Sequence, residues 1–310
     1  MEEKIEIMNL LQNKQVLEHE LQTLVYGSVE IRENNSNKYI YVHYREDGVA
    51  LTKYVGEYSD ELYNLVLNNS IKAKQLKKQI REIIKKLKQL NYTEEELSEK
   101  VEQNIDFAKR HLVDTIYKQA ILEGVATTFA DTENIIEGGK VNNMTTEDIL
   151  KIVNLKHAWE FILNKNVILS DTNFALLCEV NKMVEDGFYY TAGKVRNAPV
   201  TIGGTTWKPD LPIESVIKEE LEEIFSKELD DIDRAIELLL YIMKKQVFID
   251  GNKRTAVIYS NHYLISKGKG IIAIPAELTE EFKDLLIPYY EGRDEKEIKK
   301  FIKEKCYMSI

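Results

Sequence analysis

Gln246-Val247-Phe248-Ile249-Asp250-Gly251-Asn252-Lys253-Arg254-Thr255-Ala256-Val257 is the stretch on which the fold of this chain turns. An apolar run from Ile236 to Met243, with helical character, leads into it, and a second, from Thr255 to Ile265, leads away. Between them Asp250, Gly251 and Asn252 favour a tight turn and tolerate positive φ. A polar loop opening onto a helix N-terminus is a ready anion site, because free backbone N–H groups and the helix dipole both point at it. Lys253 and Arg254 fall in the first turn, where the dipole disfavours cations unless they serve an anion. Asp250 is suited to hold a hard cation such as Mg²⁺ through oxygen. Each residue alone reads as part of a capped helix start with solvated charges. Their concentration within five positions argues for a site.

Phe248, Asp250, Gly251, Asn252, Lys253 and Arg254 match, as they stand, the motif His-x-Phe-x-Asp/Glu-Gly-Asn-Gly/Lys-Arg, and the stretch resembles the Fic/Doc (Fido) family. Gln246 stands at the family's catalytic histidine, and Val257 at the second arginine of adenylyl-transferring members. The form Asp-x-Asn-Lys-Arg-Thr-Ala lies closer to the Doc-like branch. The resemblance implies a mainly α fold and a site for ATP and Mg²⁺. Asp250 would hold the metal, and Gly251, Asn252, Lys253 and Arg254 the phosphates. It further implies transfer of AMP to a Ser, Thr or Tyr hydroxyl of a target protein, with self-modification and a homo-oligomer as further expectations. Gln246 does not titrate near neutrality, and loss of a general base costs roughly 10²–10⁴ in rate. His262, eight residues past Arg254, lies about 12 Å further along the helix axis. Two alternatives stand beside adenylyl transfer. One is a Doc-like kinase of a toxin–antitoxin type, with ATP reversed and the γ-phosphate moving. The other is a non-catalytic nucleotide- or peptide-binding module.

Two further segments carry the resemblance. Gly193-Lys194-Val195-Arg196 fits the Gly-x-x-Arg that leads into a β-hairpin flap holding the target peptide by strand addition. Val200-Thr201-Ile202 reads as its first strand, Gly203-Gly204 as the turn, and Thr205-Thr206-Trp207 as the return. Upstream, residues 105 to 136 read as helical and end at Glu137-Gly138-Gly139. In the family an inhibitory helix carries Ser/Thr-x-x-x-Glu-Gly/Asn, which makes 118–138 its counterpart and Glu137 the inhibitory glutamate. Glu137 reads equally as an exposed residue before a helix C-cap.

At 310 residues, 44% hydrophobic and 30% charged, the chain is long enough for two cored domains. They are expected at 1–105 and 106–310, the second being the Fic domain. The acidic start and the lack of an apolar run of about 18 residues predict a cytoplasmic protein without a membrane span. Cys178 and Cys306 make no disulfide framework. In the N-terminal third, residues 4–24 read as an amphipathic helix with Leu10, Leu17, Leu21 and Leu24 on a seam. Strands follow at 25–33, 38–44 and 49–58, a three-stranded meander with turns at Asn34–Asn37 and Asp47-Gly48. A helix from Asp60 to Leu90 carries Leu76, Ile80, Ile83, Leu87 and Leu90 as a coiled-coil-like stripe. It also carries eight Lys/Arg between 72 and 88 against one acid, Glu82. Beside a tyrosine-rich sheet, that face fits contact with nucleic acid or an acidic partner, or equally a solvated surface with snorkelling lysines. Tyr92 to Glu96 reads as a loop into a capped helix. Thr145 caps the next helix, through His157, and Ser170-Asp171 another, to about Asp186.

Overall fold

The computed structural model describes residues 2–34, 37–46, 49–90, 92, 97–142 and 144–310. The turns expected at Asn34–Asn37 and Asp47-Gly48 and the helix start expected at Thr93–Glu96 lie wholly or partly outside the described residues. The chain divides into two compact units, Met1–Thr93 and Glu94–Ile310.

In the first unit, helix α1 (Glu2–Thr23) precedes strands β1 (Ser28–Asn34), β2 (Asn37–Glu46) and β3 (Val49–Glu57), and helix α2 (Asp60–Gln89) closes it. The strands form an antiparallel sheet in the order β1-β2-β3. Alternation along β2 buries Ile40 and Val42. On the opposite face Tyr39 and Tyr41 gather around Tyr54, at 6.2 and 5.5 Å between ring centroids, and the Arg32 guanidinium lies over Tyr41. The Ser59 hydroxyl caps α2 by accepting from the Leu62 N–H. The stripe expected on α2 is its packed face: Leu76, Ile80 and Leu87 are buried, joined by Val66 and Ala73. On α1 Met8, Leu10, Leu11 and Gln12 are buried and Leu17 and Leu21 half-buried, as is Leu24 just past its end.

The second unit is helical. Its helices are α3 (Glu99–Arg110), α4 (Leu112–Leu122), α5 (Phe129–Ile136), α6 (Thr146–Ile162), α7 (Lys165–Ile168), α8 (Phe174–Val184), α9 (Glu214–Ser226), α10 (Asp231–Lys245), α11 (Asn252–Ser266), α12 (Thr279–Tyr290) and α13 (Lys296–Phe301). A two-strand ladder of β4 (Ile271–Ile272) and β5 (Tyr307–Met308) completes it. The helical stretch expected over 105–136 is three helices, not one. Gly124, at φ 77°, ends α4 in a conformation that only glycine adopts without strain. Thr128 then starts α5, its hydroxyl accepting from the Asp131 N–H at 3.0 Å.

Helix α11 is the axis of this unit, buried from Asn252 to Ile265 except for half-buried Lys253. Its polar side chains therefore bond inward. Asn261 donates to the carbonyls of Val257 and Ile272 and accepts the Ile272 N–H, which seats β4 against the helix. His262 is fully buried, its ring nitrogens 2.8 Å from the Thr172 hydroxyl and 2.9 Å from the Val167 carbonyl. The carbonyl takes a proton from Nε2, so Nδ1 of the neutral ring accepts from Thr172. His262 is thus a core residue and not a proton acceptor for chemistry at the loop.

Burial pushes the His262 pKa down to about 4 from its ordinary value of 6.5. Between those values the unfolded chain binds the extra proton, so stability falls as pH drops from 6.5 to 4. The slope from this group is at most about 1.4 kcal/mol per pH unit. Urea unfolding of His262→Gln across that window should show a shallower pH dependence than the parent, and parallel curves would refute the assignment.

Candidate functional site

Helix α10 stops where Gln246 turns left-handed, at φ 49°, the one non-glycine with positive φ among the described residues. The turn back into α11 needs a second left-handed residue, Gly251, at φ 71°. A Cβ there would sit 2.2 Å from Glu185 Oε1, so the position demands glycine twice over. Asn252 holds the loop between them closed. Its Oδ1 accepts from the Phe248 N–H at 2.9 Å, and its Nδ2 donates to the Phe248 carbonyl at 2.8 Å and to Gln246 Oε1 at 3.2 Å. Its donors serve the loop itself, where the sequence reading had set them on phosphate. Gln246 is similarly committed, with Nε2 donating to the Met243 carbonyl at 2.6 Å.

Three buried side chains from neighbouring segments lock this loop. Asn181 on α8 donates to the Asp250 carbonyl and the Thr255 hydroxyl and accepts from the Gly193 N–H. Gln119 on α4 donates to the Arg254 carbonyl at 2.7 Å while accepting from Trp159 Nε1. Arg196, 5% exposed, donates to three carbonyls: Gln246 at 2.6 Å, Ala198 at 2.8 Å and Asp210 at 2.6 Å. It has no carboxylate partner among the described residues. Its charge is spent on tying the end of α10 to both ends of the 198–210 segment.

Arg254 is 2% exposed and ringed by carboxylates. Nη2 lies 2.8 Å from Glu185 Oε1 and 3.6 Å from Asp250 Oδ1, and Nε lies 3.3 Å from Glu123 Oε2. The angles are poor despite these distances: Nε and Nη1 of Arg254, Glu123 Oε1 and Glu185 Oε1 are buried without a hydrogen bond. Lys253 Nζ adds a contact to Glu123 at 3.5 Å. Burial raises the Glu185 carboxyl to about 7, with Asp250 and Glu123 adding to the rise and Arg254 opposing it. Asp250 is half-exposed at the rim, with Oδ1 accepting from the Gly251 N–H.

Two expectations are corrected here. Glu137 is an exposed C-cap of α5; the glutamates beside the loop arginine are Glu185 and, from the helix before α5, Glu123. It ends α4 in Leu122-Glu123-Gly124, one turn past Gln119, and the Glu-Gly pair was a signal in the sequence that could have found it. Residues Val200, Thr201, Ile202 and Thr205 to Trp207 form no strands. The Gly203-Gly204 turn is present, but the segment is held from outside. Thr205 donates to Glu291 at 2.8 Å, and Trp207 stacks on Tyr290 at 5.8 Å. A hairpin needs cross-strand pairs, and these side chains face α12 instead. Val257, at the second-arginine position, is 1% exposed in the core, where an arginine would bury a charge. His157 is exposed on α6, as a helix-surface residue should be. Glu185 and Asn181 carried no sequence signal, because only packing brings α8 to the loop.

The second unit is thus a helical domain with a closed loop joining α10 to α11 and a buried arginine in the first turn of α11. Residues 171–264 match the family model of the Fic/DOC family. Solved Fic-domain structures have the same fold. A Fic-domain signalling protein from Bacteroides thetaiotaomicron is 19% identical, with 61% of this chain and 75% of that one covered and a TM-score of 0.51. Fic-1 (aa134–508) from C. elegans is 17% identical, with 79% and 73% covered and a TM-score of 0.52. A Fic family protein from Desulfovibrio desulfuricans is 13% identical, with 67% and 72% covered and a TM-score of 0.52. No curated protein matches the sequence. The match to the Fic/DOC family thus lies at 171–264, within the second unit, and the solved structures share its fold. No helix among the described residues is long and apolar enough to cross a membrane.

Arg196→Lys should expose how much of the loop depends on that one guanidinium. A lysine reaches one carbonyl where the planar fork reaches three, and each lost charged bond is worth about 1.5–3 kcal/mol. Urea unfolding should show a loss of at least about 2 kcal/mol, and limited proteolysis should cut first between 197 and 212. Parent-like behaviour in both assays would mean that the segment is held by other contacts.

Proposed function

We propose that this protein is an ATP-dependent transferase that moves AMP to a hydroxyl of a protein target, and that its resting state is restrained by its own carboxylates. The observation that carries the reading is Arg254. A buried guanidinium at a helix N-terminus, with Nη1 unpartnered, is built for an anion with more oxygens than its present neighbours present to it.

The residues fit a nucleotide phosphate chain. Gly251 supplies the left-handed turn into α11, Arg254 supplies the charge, and Lys253 sits half-buried beside it. Asp250 at the rim is suited to Mg²⁺, which usually binds through one or two carboxylates and the phosphates it accompanies. Among the described residues no cluster of three metal-ligating side chains stands ready, which is compatible with a metal that arrives with its nucleotide. Mg²⁺ would neutralise phosphate charge and orient the chain for attack.

Glu123 and Glu185 oppose that binding as they stand, since each places negative charge where phosphate oxygens would go. Glu185 with a pKa near 7 can meet a phosphate in its neutral form. Glu123 must turn aside, and its place at the free end of α4 permits that. The second restraint is chemical. Gln246 neither titrates nor has a free amide, so the proton of an attacking hydroxyl must leave by another group or to water. A second reading, γ-phosphate transfer of the Doc type, is favoured by Lys253 and by the buried Val257.

Two substitutions separate the restraints. Glu123→Ala should tighten ATP binding in calorimetry by about tenfold, the worth of one removed like-charge contact of about 1.4 kcal/mol. Histidine tolerates the left-handed backbone at 246, so Gln246→His restores an imidazole at the loop. In the double variant, self-labelling or target labelling from α-labelled ATP should rise about 10²–10⁴-fold over the parent. Labelling from γ-labelled ATP alone would select the Doc-type reading. Undetectable ATP binding by every variant would end the nucleotide assignment.

A further inference from the structure

Helix α2 concentrates charge on one face. At about 100° per residue, Lys74, Lys77, Lys78, Arg81, Lys85 and Lys88 fall within an arc of about 100°, roughly a third of a turn from the buried seam of Val66, Ala73, Leu76, Ile80 and Leu87. Every position between 72 and 90 within that arc is Lys or Arg, and all six are exposed. The one acid of this stretch, Glu82, lies at the rim, 4.0 Å from Lys78 with both side chains open to water. Lys77 rests over the Tyr26 ring at 4.6 Å, and Arg81 bonds the Lys77 carbonyl of its own helix. Lys74, Lys85 and Lys88 have no carboxylate partner among the described residues. An ordinary solvated helix face alternates acids with bases at i, i+4. Here the pairs 74–78, 77–81 and 81–85 set like charges at that spacing, in a chain whose net charge is −10.

We propose that this face binds the phosphate backbone of duplex nucleic acid without reading its sequence. From Lys74 to Lys88 the stripe spans about 21 Å at 1.5 Å per residue. That length faces about six phosphates of one strand at 3.4 Å each, one for each cation. Between 72 and 90 the arc contains no apolar side chain to enter a lipid surface and no Asn or Gln to read base edges; exposed Leu67 continues it about two turns before Lys74. Backbone contact by counterion release is what remains, and it relieves the repulsion within the stripe.

The test uses the full chain and a fluorescein-labelled 20-base-pair DNA duplex, read by anisotropy between 50 and 200 mM NaCl. Six phosphate contacts predict a plot of log affinity against log salt with a slope near −5, a loss of about 10³-fold over that range. Lys74→Ala with Arg81→Ala should flatten the slope by about 2. Lys72→Ala with Lys86→Ala removes the same charge from positions outside the arc and should change it by less than half as much. Circular dichroism confirms that both variants keep their helices. Absence of binding at 50 mM NaCl, equal losses in the two double variants, or tighter binding to phosphatidylserine vesicles than to DNA would each overturn the proposal.

Discussion

Burial of α11 on every side is the constraint on which the second unit depends, with Lys253 and Ser266 alone half-buried. A helix surrounded on every side usually carries only apolar residues, yet this one carries Asn252, Arg254, Thr255, Ser260, Asn261 and His262 inside. An unpaired buried polar group costs about 1–3 kcal/mol, so most of these find a partner outside the helix, while Ser260 bonds back to the Val257 carbonyl. The partners define the architecture. Asn261 seats β4, His262 joins α7 and the segment before α8, Thr255 meets Asn181, and the Arg254 carbonyl takes Gln119. The packing that places the helix thereby brings α4 and α8 to its N-terminus.

The Tyr259 hydroxyl lacks a partner in mid-helix, but the shortfall is concentrated at the N-terminus. Around one guanidinium stand three carboxylates, and buried atoms on both sides lack hydrogen bonds. A structural ion pair would be expected to use its donors better. Poor geometry around a guanidinium only 2% exposed, beside a glycine forced left-handed, is the observation on which the proposed phosphate site rests. The restraint proposed for Glu123 and the proton problem at Gln246 act on different steps, binding and chemistry.

How much was legible follows from the range of each interaction. The loop 246–254, its flanking helices, the three-stranded sheet and the α2 seam could be read from period and turn chemistry, which are local. The end of α4 was also local, written in Gly124 and in the Thr128 cap, but a continuous apolar pattern hid it. The flap went astray because Val200-Thr201-Ile202 has strand propensity, while Trp207 and Thr205 gain more from Tyr290 and Glu291 on α12. β-propensity yields to such contacts readily.

The amino-acid sequence by itself determined the kind of domain, the place of its loop and the absence of an imidazole at 246, because those depend on residue identity and on spacing within a few turns. Which glutamate faces Arg254 was decided only in three dimensions. Glu123 and Glu137 both precede glycine at a helix end, and what separates them is Gln119, whose bond to the Arg254 carbonyl docks α4 on α11. Glu185 and Arg196 likewise acquired their neighbours through packing. A charge takes its meaning from what shares its low-dielectric surroundings, and those surroundings are assembled from segments far apart in the chain.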